Sequence, residues 1–386
     1  MAKSIESMIK ETFTAVADGL CDGSIGVKPK IAITGMGSEH GEENSMAGAV
    51  EAARAGVDVY YIGTLEHPEV TTIKVKDDEE GHDKMEAMLD SGELDGAVTM
   101  HFPFPIGVST VGRCITPAYG KEMYLATTTG TSSTDNIEGM VLNAIYGIIT
   151  AKACGVEKPT VGIVNVNGAR QCEKALKQLQ EGGYDIKFAD SARADGGCVM
   201  RGNDVLQGSA DVMVCDSLTG NVLSKITSSY TTGGSFEALG YGYGPGIGEG
   251  YKKLVMIVSR ASGAPVIANA IKYAAQLVRG NVFKVAEKEI QKANNAGLKA
   301  IRDEIKAASA KSSEGSSETV TAPPAEPTTS QIPGIEVLDL EDAQQSLWKE
   351  GIYAESGMGC TGPIIKVSDA NLEKAQEILK KAGYIQ

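Results

Sequence analysis

No apolar run in this 386-residue chain approaches the ~18 residues of a bilayer-spanning helix, which excludes a helical membrane anchor. The opening Met1-Ala-Lys-Ser lacks the apolar centre of a secretory signal, and the expected location is the cytoplasm. Positive charge is also short. With 36 Lys and Arg against 50 Asp and Glu, the net charge is −14, which excludes a broad nucleic-acid or acidic-membrane surface because phosphates would be repelled. Any phosphate this protein handles must therefore meet a local pocket of cations or N–H donors. Seven cysteines (Cys21, Cys114, Cys154, Cys172, Cys198, Cys215, Cys360) show no Cys-x-x-Cys spacing, so a zinc site is not expected. Their odd number reads as free thiols in a reducing compartment.

What is present is ordinary globular material, 42% hydrophobic and 22% charged, enough for one large or two modest domains. Residues 3 to 20 place Ile5, Met8, Ile9, Phe13, Val16 and Leu20 at helical spacing, which predicts an amphipathic helix packed on the core. Short apolar runs at 30–34, 59–62, 96–100, 123–127, 160–166, 210–214 and 254–258 then alternate with helical segments. Alternation of this kind predicts an α/β fold with a mostly parallel, doubly wound sheet, in one domain over residues 1–310. Residues 311–334, rich in Ser, Pro and Glu, have the composition of a disordered linker. Beyond them a small α+β tail, 335–386, is predicted: a helix at 340–348, a strand at 364–367, and a helix from Ser368 to Ala382.

The candidate site begins where the strand Ala210–Val214 stops at Cys215-Asp216-Ser217-Leu-Thr219-Gly220-Asn221. In an open α/β sheet, ligands bind outside the carboxyl ends of the strands, so Asp216 and this turn lie where chemistry is usually done. The same residues also suit a plain helix N-terminus, with a cap and an acidic residue favouring the dipole. Thr128-Thr129-Gly130-Thr131-Ser132, after another strand, is a hydroxyl- and N–H-rich turn able to hold an oxyanion. His101 follows the strand 96–100 and is a candidate general base or a ring packed between Phe102 and Phe104. The cluster Glu39, His40, Glu42 and Glu43 reads as a solvated face, not a metal site. From Gly240 to Gly250, glycine occupies every second position, as in a mobile loop at a substrate arm or a flexible surface loop.

The phrase Val214-Cys-Asp-Ser-Leu-Thr-Gly-Asn-Val222 resembles the Val-Cys-Asp-Gly-Phe-Thr-Gly-Asn-Val run of bacterial phosphate acyltransferases. Val161-Gly-Ile-Val-Asn-Val166 and Ile267-Ala-Asn-Ala-Ile271 extend the likeness over roughly residues 28 to 295. The resemblance implies a fold akin to phosphotransacetylases and chemistry that turns a thioester into an acyl phosphate. Three positions depart from the pattern: Gly35-Met-Gly37, Thr110 in place of an Arg, and Ile257-Val-Ser-Arg260 in place of Lys-Ser-His-Gly.

The tail carries Gly357-Met-Gly-Cys360-Thr-Gly-Pro363, a cysteine framed by glycines and reachable as a nucleophile. An acyltransferase-like body with this tethered tail resembles, over the whole chain, the alpha subunits of component C of the glycine/sarcosine/betaine reductase complex. That resemblance implies Cys360 as the acetyl carrier; Asp216 and Asn221 at the strand end, and His101 by its position, are the further catalytic candidates. The resemblance places orthophosphate in the body around Asp216, Thr219 and Asn221; by their residue types and places, Ser217, Gly220, the turn Thr128 to Ser132 and Arg260 are further candidates to bind it, and no bound cofactor and no metal are expected. It further implies a hetero-oligomer with a thiolase-like beta subunit and a selenoprotein component A that carries the carboxymethyl group. Alternative readings are a lipid-pathway phosphate acyltransferase, a coenzyme A phosphotransacetylase, and a non-catalytic subunit supporting a thiolase-like partner.

Overall fold

The computed structural model describes residues 5–22, 28–194, 196–314, 322–335, 339–359 and 362–385. The chain opens with α1 (Ile5–Asp22), then runs β1 (Lys30–Thr34), α2 (Glu42–Arg54), β2 (Asp58–Gly63), β3 (Thr71–Lys74), α3 (Asp78–Asp90) and β4 (Gly96–Thr99). It crosses to β5 (Val108–Ile115), β6 (Glu122–Thr131), α4 (Asn136–Ala153), β7 (Thr160–Val164), α5 (Ala169–Glu181), β8 (Lys187–Phe188), β9 (Val199–Met200), α6 (Gly202–Gln207), β10 (Val212–Val214), α7 (Ser217–Ser229) and β11 (Gly246–Gly248). It then returns through β12 (Val255–Ile257) to α8 (Ala264–Arg279), α9 (Val282–Asn295) and α10 (Leu298–Glu314).

The alternation seen in the sequence is divided between two sheets. One is fully parallel, in the order β12-β4-β1-β2-β3. The other runs β11-β5-β6-β10-β7-β8, with β9 also on β7; only β11–β5 and β5–β6 are antiparallel. Central strands such as β1, β4 and β10 are apolar without alternation because both of their faces are covered. α8 joins the two sheets. Its Ile267 and Ile271 lie in a core shared with β1 and α4, while its Asn269 donates to Gly240 O (3.1 Å) and Gln276 to Cys154 O (3.0 Å).

Most of the glycine run is inside the fold and not on the surface; Glu249 and Gly250 at its end are exposed. Residues 242–248 are buried, and they stitch the sheets together: Tyr243 N donates to Ile257 O of β12 (2.7 Å), while Tyr241 N donates to Arg113 O of β5 (2.9 Å). Alternate glycines are required by space. A Cβ at Gly242 would stand 2.7 Å from Ile257 O, and one at Gly246 would stand 2.3 Å from the Phe104 ring.

Two further expectations are corrected. The apolar stripe of α1 is exposed instead of packed on the core, with Ile5 at 73% and Phe13 at 72%. Of the segment 311–334, residues 311–314 complete α10 and β13 (Ser330–Pro333) pairs with β15 (Gly362–Val367), so the tail begins earlier than its composition indicates; residues 315–321 lie outside the described residues. The tail also contains α11 (Leu340–Lys349), β14 (Glu355–Gly359) and α12 (Leu372–Ala382). Its own core gathers Ile332, Leu347, Ile365, Val367 and Leu379.

Candidate active site

α7 starts two residues after β10 ends. Asp216, with extended backbone, caps it: one carboxylate oxygen accepts Thr219 N (2.9 Å) and the other accepts the Thr219 hydroxyl (2.5 Å). Gly220 lets this first turn sit directly on the end of β6, since a Cβ there would be 1.7 Å from Thr127 O. Asn221 Nδ2 donates to Thr128 O at 3.1 Å. Thr128 to Thr131, expected as a turn, instead continue β6, paired with β5 at Ser109–Gly130 and Val108–Thr131; together with Ser132 and with Asp216 to Asn221 they form one seam at the ligand end of the second sheet.

Much of the polar capacity of that seam is already committed. Thr127 Oγ1 donates to Thr110 O (2.6 Å), Thr128 Oγ1 meets Thr110 Oγ1 (2.7 Å) and the carbonyl of Tyr243, and Ser132 Oγ bonds Asn143 Oδ1 (2.8 Å). Ser133 donates to Glu138, a buried carboxylate that also takes the Arg302 guanidinium (2.5 Å) and Lys306 (3.4 Å). Burial works against ionisation of Glu138, yet Ser133 and the two cations hold its carboxyl below the usual range. Arg302 and Lys306 are cations beside the Thr128–Ser132 segment that sequence reasoning missed; they lie in α10, remote in sequence, with no local signal. Half-buried Ser217 and Thr129, and exposed Thr131, edge the same seam, and Gly130 adopts φ +77° where β6 bends away.

His101 and Arg260 belong to the other sheet. Both are exposed at its strand ends; the His101 carbonyl accepts the Thr99 hydroxyl (3.2 Å), and the Arg260 carbonyl accepts Glu39 N (2.9 Å). The two sets are tied by Glu237, a buried carboxylate that sequence reasoning also missed. It accepts from Tyr243 OH (2.7 Å) and Ser262 Oγ (2.9 Å), with Lys225 Nζ of α7 at 3.6 Å. Nearby, Glu42 turns away from His40 to accept Thr64 N and Oγ1 (2.6 Å each), and the His40 ring lies 3.3 Å from Ala261 O. The group Glu39, His40, Glu42 and Glu43 therefore does not converge.

Cys215 is fully buried beneath the seam, its thiol facing Thr127 O at 3.5 Å. Burial first, and then the Asp216 carboxylate, push that thiol far above its ordinary range. Burial likewise raises Cys114 and Cys198 to about 12, Cys154 to about 11, and Cys172 further still. None of these five is poised as a thiolate. Cys360 lies outside the described residues; the strands on either side of it, β14 and β15, pair as far as Gly359 and Gly362. The tail rests on α5, where Gln171 Nε2 donates to Asp339 Oδ2 (3.3 Å) beside a cavity of about 880 Å³ lined by Lys174, Lys177, Lys380 and Tyr384. The α5 N-terminus shares the ligand end of the sheet with α4, because Asn136 donates to Asn167 O at 3.0 Å.

Comparison with known proteins places this geometry in a lineage. A family model described as "Fatty acid synthesis protein" matches residues 29–366. The "Glycine/sarcosine/betaine reductase complex component C subunit alpha" of Peptoclostridium acidaminophilum is 56% identical over 383 residues, 99% of either chain. The phosphate acyltransferase of Thermotoga maritima is 28% identical over 194 residues, 42% of this chain and 57% of the relative. Among solved structures, a branched-chain phosphotransacylase from Enterococcus faecalis has a TM-score of 0.47 at 15% identity, over 65% of this chain and 99% of its own. The chain therefore belongs to the family of component C alpha subunits of the glycine/sarcosine/betaine reductase complex, built on a body of the phosphate acyltransferase type.

Proposed function

We propose that this chain transfers an acetyl group, held as a thioester on Cys360, to orthophosphate and releases acetyl phosphate. The observation that carries the reading is the alignment with a component C alpha subunit, 56% identical overall and covering 99% of the chain, so that it spans both the body and the tail. A phosphate oxygen attacks the thioester carbonyl, the C–S bond breaks, and the Cys360 thiolate leaves as acetyl phosphate departs. Orthophosphate is the substrate, S-acetyl-cysteine the intermediate, and no bound cofactor is invoked.

The developing oxyanion needs fixed donors, each worth roughly 10²–10³ in rate. Ser217, Thr219, Asn221, Thr129 and Thr131 edge the place proposed for them, with Arg302 and Lys306 on Glu138 nearby and Arg260 and His101 at the strand ends of the other sheet. Partners in this reading are a thiolase-like beta subunit and the selenoprotein component A, in the reducing cytoplasm. A second reading, a supporting subunit without turnover, is favoured by the commitment of Asp216 to its cap and of Thr128 and Ser132 to internal bonds.

The test is to acetylate the protein with a labelled donor, locate the label by mass spectrometry, and follow acetyl phosphate release after adding orthophosphate. Wild type and Cys215→Ser are expected to carry label on residue 360 and release it, and Cys360→Ser to do neither. Label on Cys215, or release from Cys360→Ser, moves the chemistry into the body; label without release favours the supporting role.

A further inference from the structure

α1 is a helix whose sequence demands a neighbour. Ile5, Ile9, Phe13, Val16 and Leu20 recur every three or four residues and are 44% to 73% exposed, giving an apolar stripe about 22 Å long at 1.5 Å per residue. Helices of this size owe most of their stability to packing of the amphipathic face, so an exposed stripe marks a missing contact.

Two observations identify the occupant. First, the family model begins at residue 29, while the component C relative aligns over 99% of this chain, α1 included. The helix is thus an addition to the acyltransferase frame, shared with a chain named as a subunit. Second, residues 5–22 carry Glu6, Glu11, Asp18 and Asp22 against Lys10 alone. Two copies of α1 would repel one another, and a partner surface must be apolar with basic margins.

Resting on the reading of this chain as a working alpha subunit, we propose that α1 is the element by which it binds its companion subunit within component C, inserting the stripe into an apolar groove rimmed by Lys or Arg. Ile9 and Phe13, at its centre, are the anchors.

The test measures binding of the full-length chain to the companion subunit by calorimetry and co-elution. Ile9→Glu/Phe13→Glu is expected to weaken binding at least about a hundredfold, the loss of two central anchors, with an unchanged thermal midpoint for the unmixed chain. Raising salt is expected to slow association of the wild type. Unchanged binding by the double variant, or no binding by the wild type, overturns the proposal. So does amide-exchange protection of residues 5–22 in the unmixed wild type that Leu218→Glu/Val222→Glu abolishes, because α1 would then be covered by α7, whose Leu218, Val222 and Ile226 form an exposed apolar stripe. Binding is read without turnover, so intact binding with no acetyl phosphate release overturns the catalytic reading alone.

Discussion

At the scale of single residues, Asp216 has one job the structure shows and one that is proposed. Its oxygens cap α7 through Thr219, and its charge faces the seam where phosphate is proposed to sit. Asn is as good a cap as Asp, so Asp216→Asn keeps the helix start while removing the charge. We expect it to stay within about 0.5 kcal/mol of wild type in urea unfolding, whereas Asp216→Ala loses about 1 kcal/mol. If the carboxylate acts on the reacting groups, acetyl phosphate release falls tenfold or more in both variants; release that tracks stability alone assigns Asp216 to capping only. The thiols divide as sharply. At pH 8, Cys114, Cys154, Cys172, Cys198 and Cys215 are expected to resist iodoacetamide in the folded protein, since burial holds each thiol protonated. Rapid labelling of Cys215 would remove the physical ground for placing the nucleophile in the tail.

Among the elements, the glycine run is the most consequential, because it is where the two sheets touch. Gly246→Ala puts a methyl group onto the Phe104 ring in a buried strand, an overpacking defect expected to cost about 1–3 kcal/mol in denaturant unfolding. A neutral result would mean that the run yields easily and that the seam tolerates sliding. What could be read beforehand, and what could not, follows from the same physics. β1, β4, β6, β7, β10 and β12 announce themselves because strands covered on both faces are written in Val, Ile, Ala and Leu. β5, Val-Ser-Thr-Val-Gly-Arg-Cys-Ile, is buried almost throughout yet carries hydroxyls, a glycine and Arg113, whose two terminal nitrogens meet Glu122 and Gln276 while its plane lies near the rings of Tyr241, Tyr124 and Tyr273 and its Nε finds no partner among the described residues. β11 and β14 are glycine-rich strands that hold their place by backbone pairing and close approach, signals absent from hydrophobic periodicity. At the seam, the Asp216 to Asn221 turn was legible, but Glu237, Arg302 and Lys306 arrive from distant segments and only the fold brings them in.

For the molecule as a whole, buried and half-buried carboxylates are expected to set the acid limit. Glu42, Glu138, Glu173 and Glu289 are each held below the ordinary 4.5: burial opposes ionisation, but hydrogen bonds and, except at Glu42, neighbouring cations outweigh it. A carboxyl depressed in the folded state contributes stability that is complete above the unfolded value and is lost as pH falls through the folded one. Thermal midpoints are therefore expected to hold from neutrality to about pH 5 and to drop steeply below about 4.5; Glu289→Gln, which unpairs Lys152 and Lys292, should blunt that drop. A flat profile down to pH 3 would show that these pairs do not govern acid unfolding.

The larger question is reach. The tail has its own core and rests on α5, while the seam lies at the N-terminus of α7 on the same end of the sheet. The proposed acetyl transfer needs residue 360 to meet that seam, and the tail is joined to α10 through residues 315–321, seven residues that span at most about 25 Å when extended. Joining residue 314 directly to 322 shortens the tether by that amount without touching either core. Acetyl phosphate release is expected to fall at least tenfold, because a thioester displaced by even a few ångströms loses its near-attack geometry. Tail and body should each keep their wild-type unfolding transitions. Full release from the shortened chain would show that the docked tail already presents residue 360 to the seam, and that the tether serves to connect and not to swing.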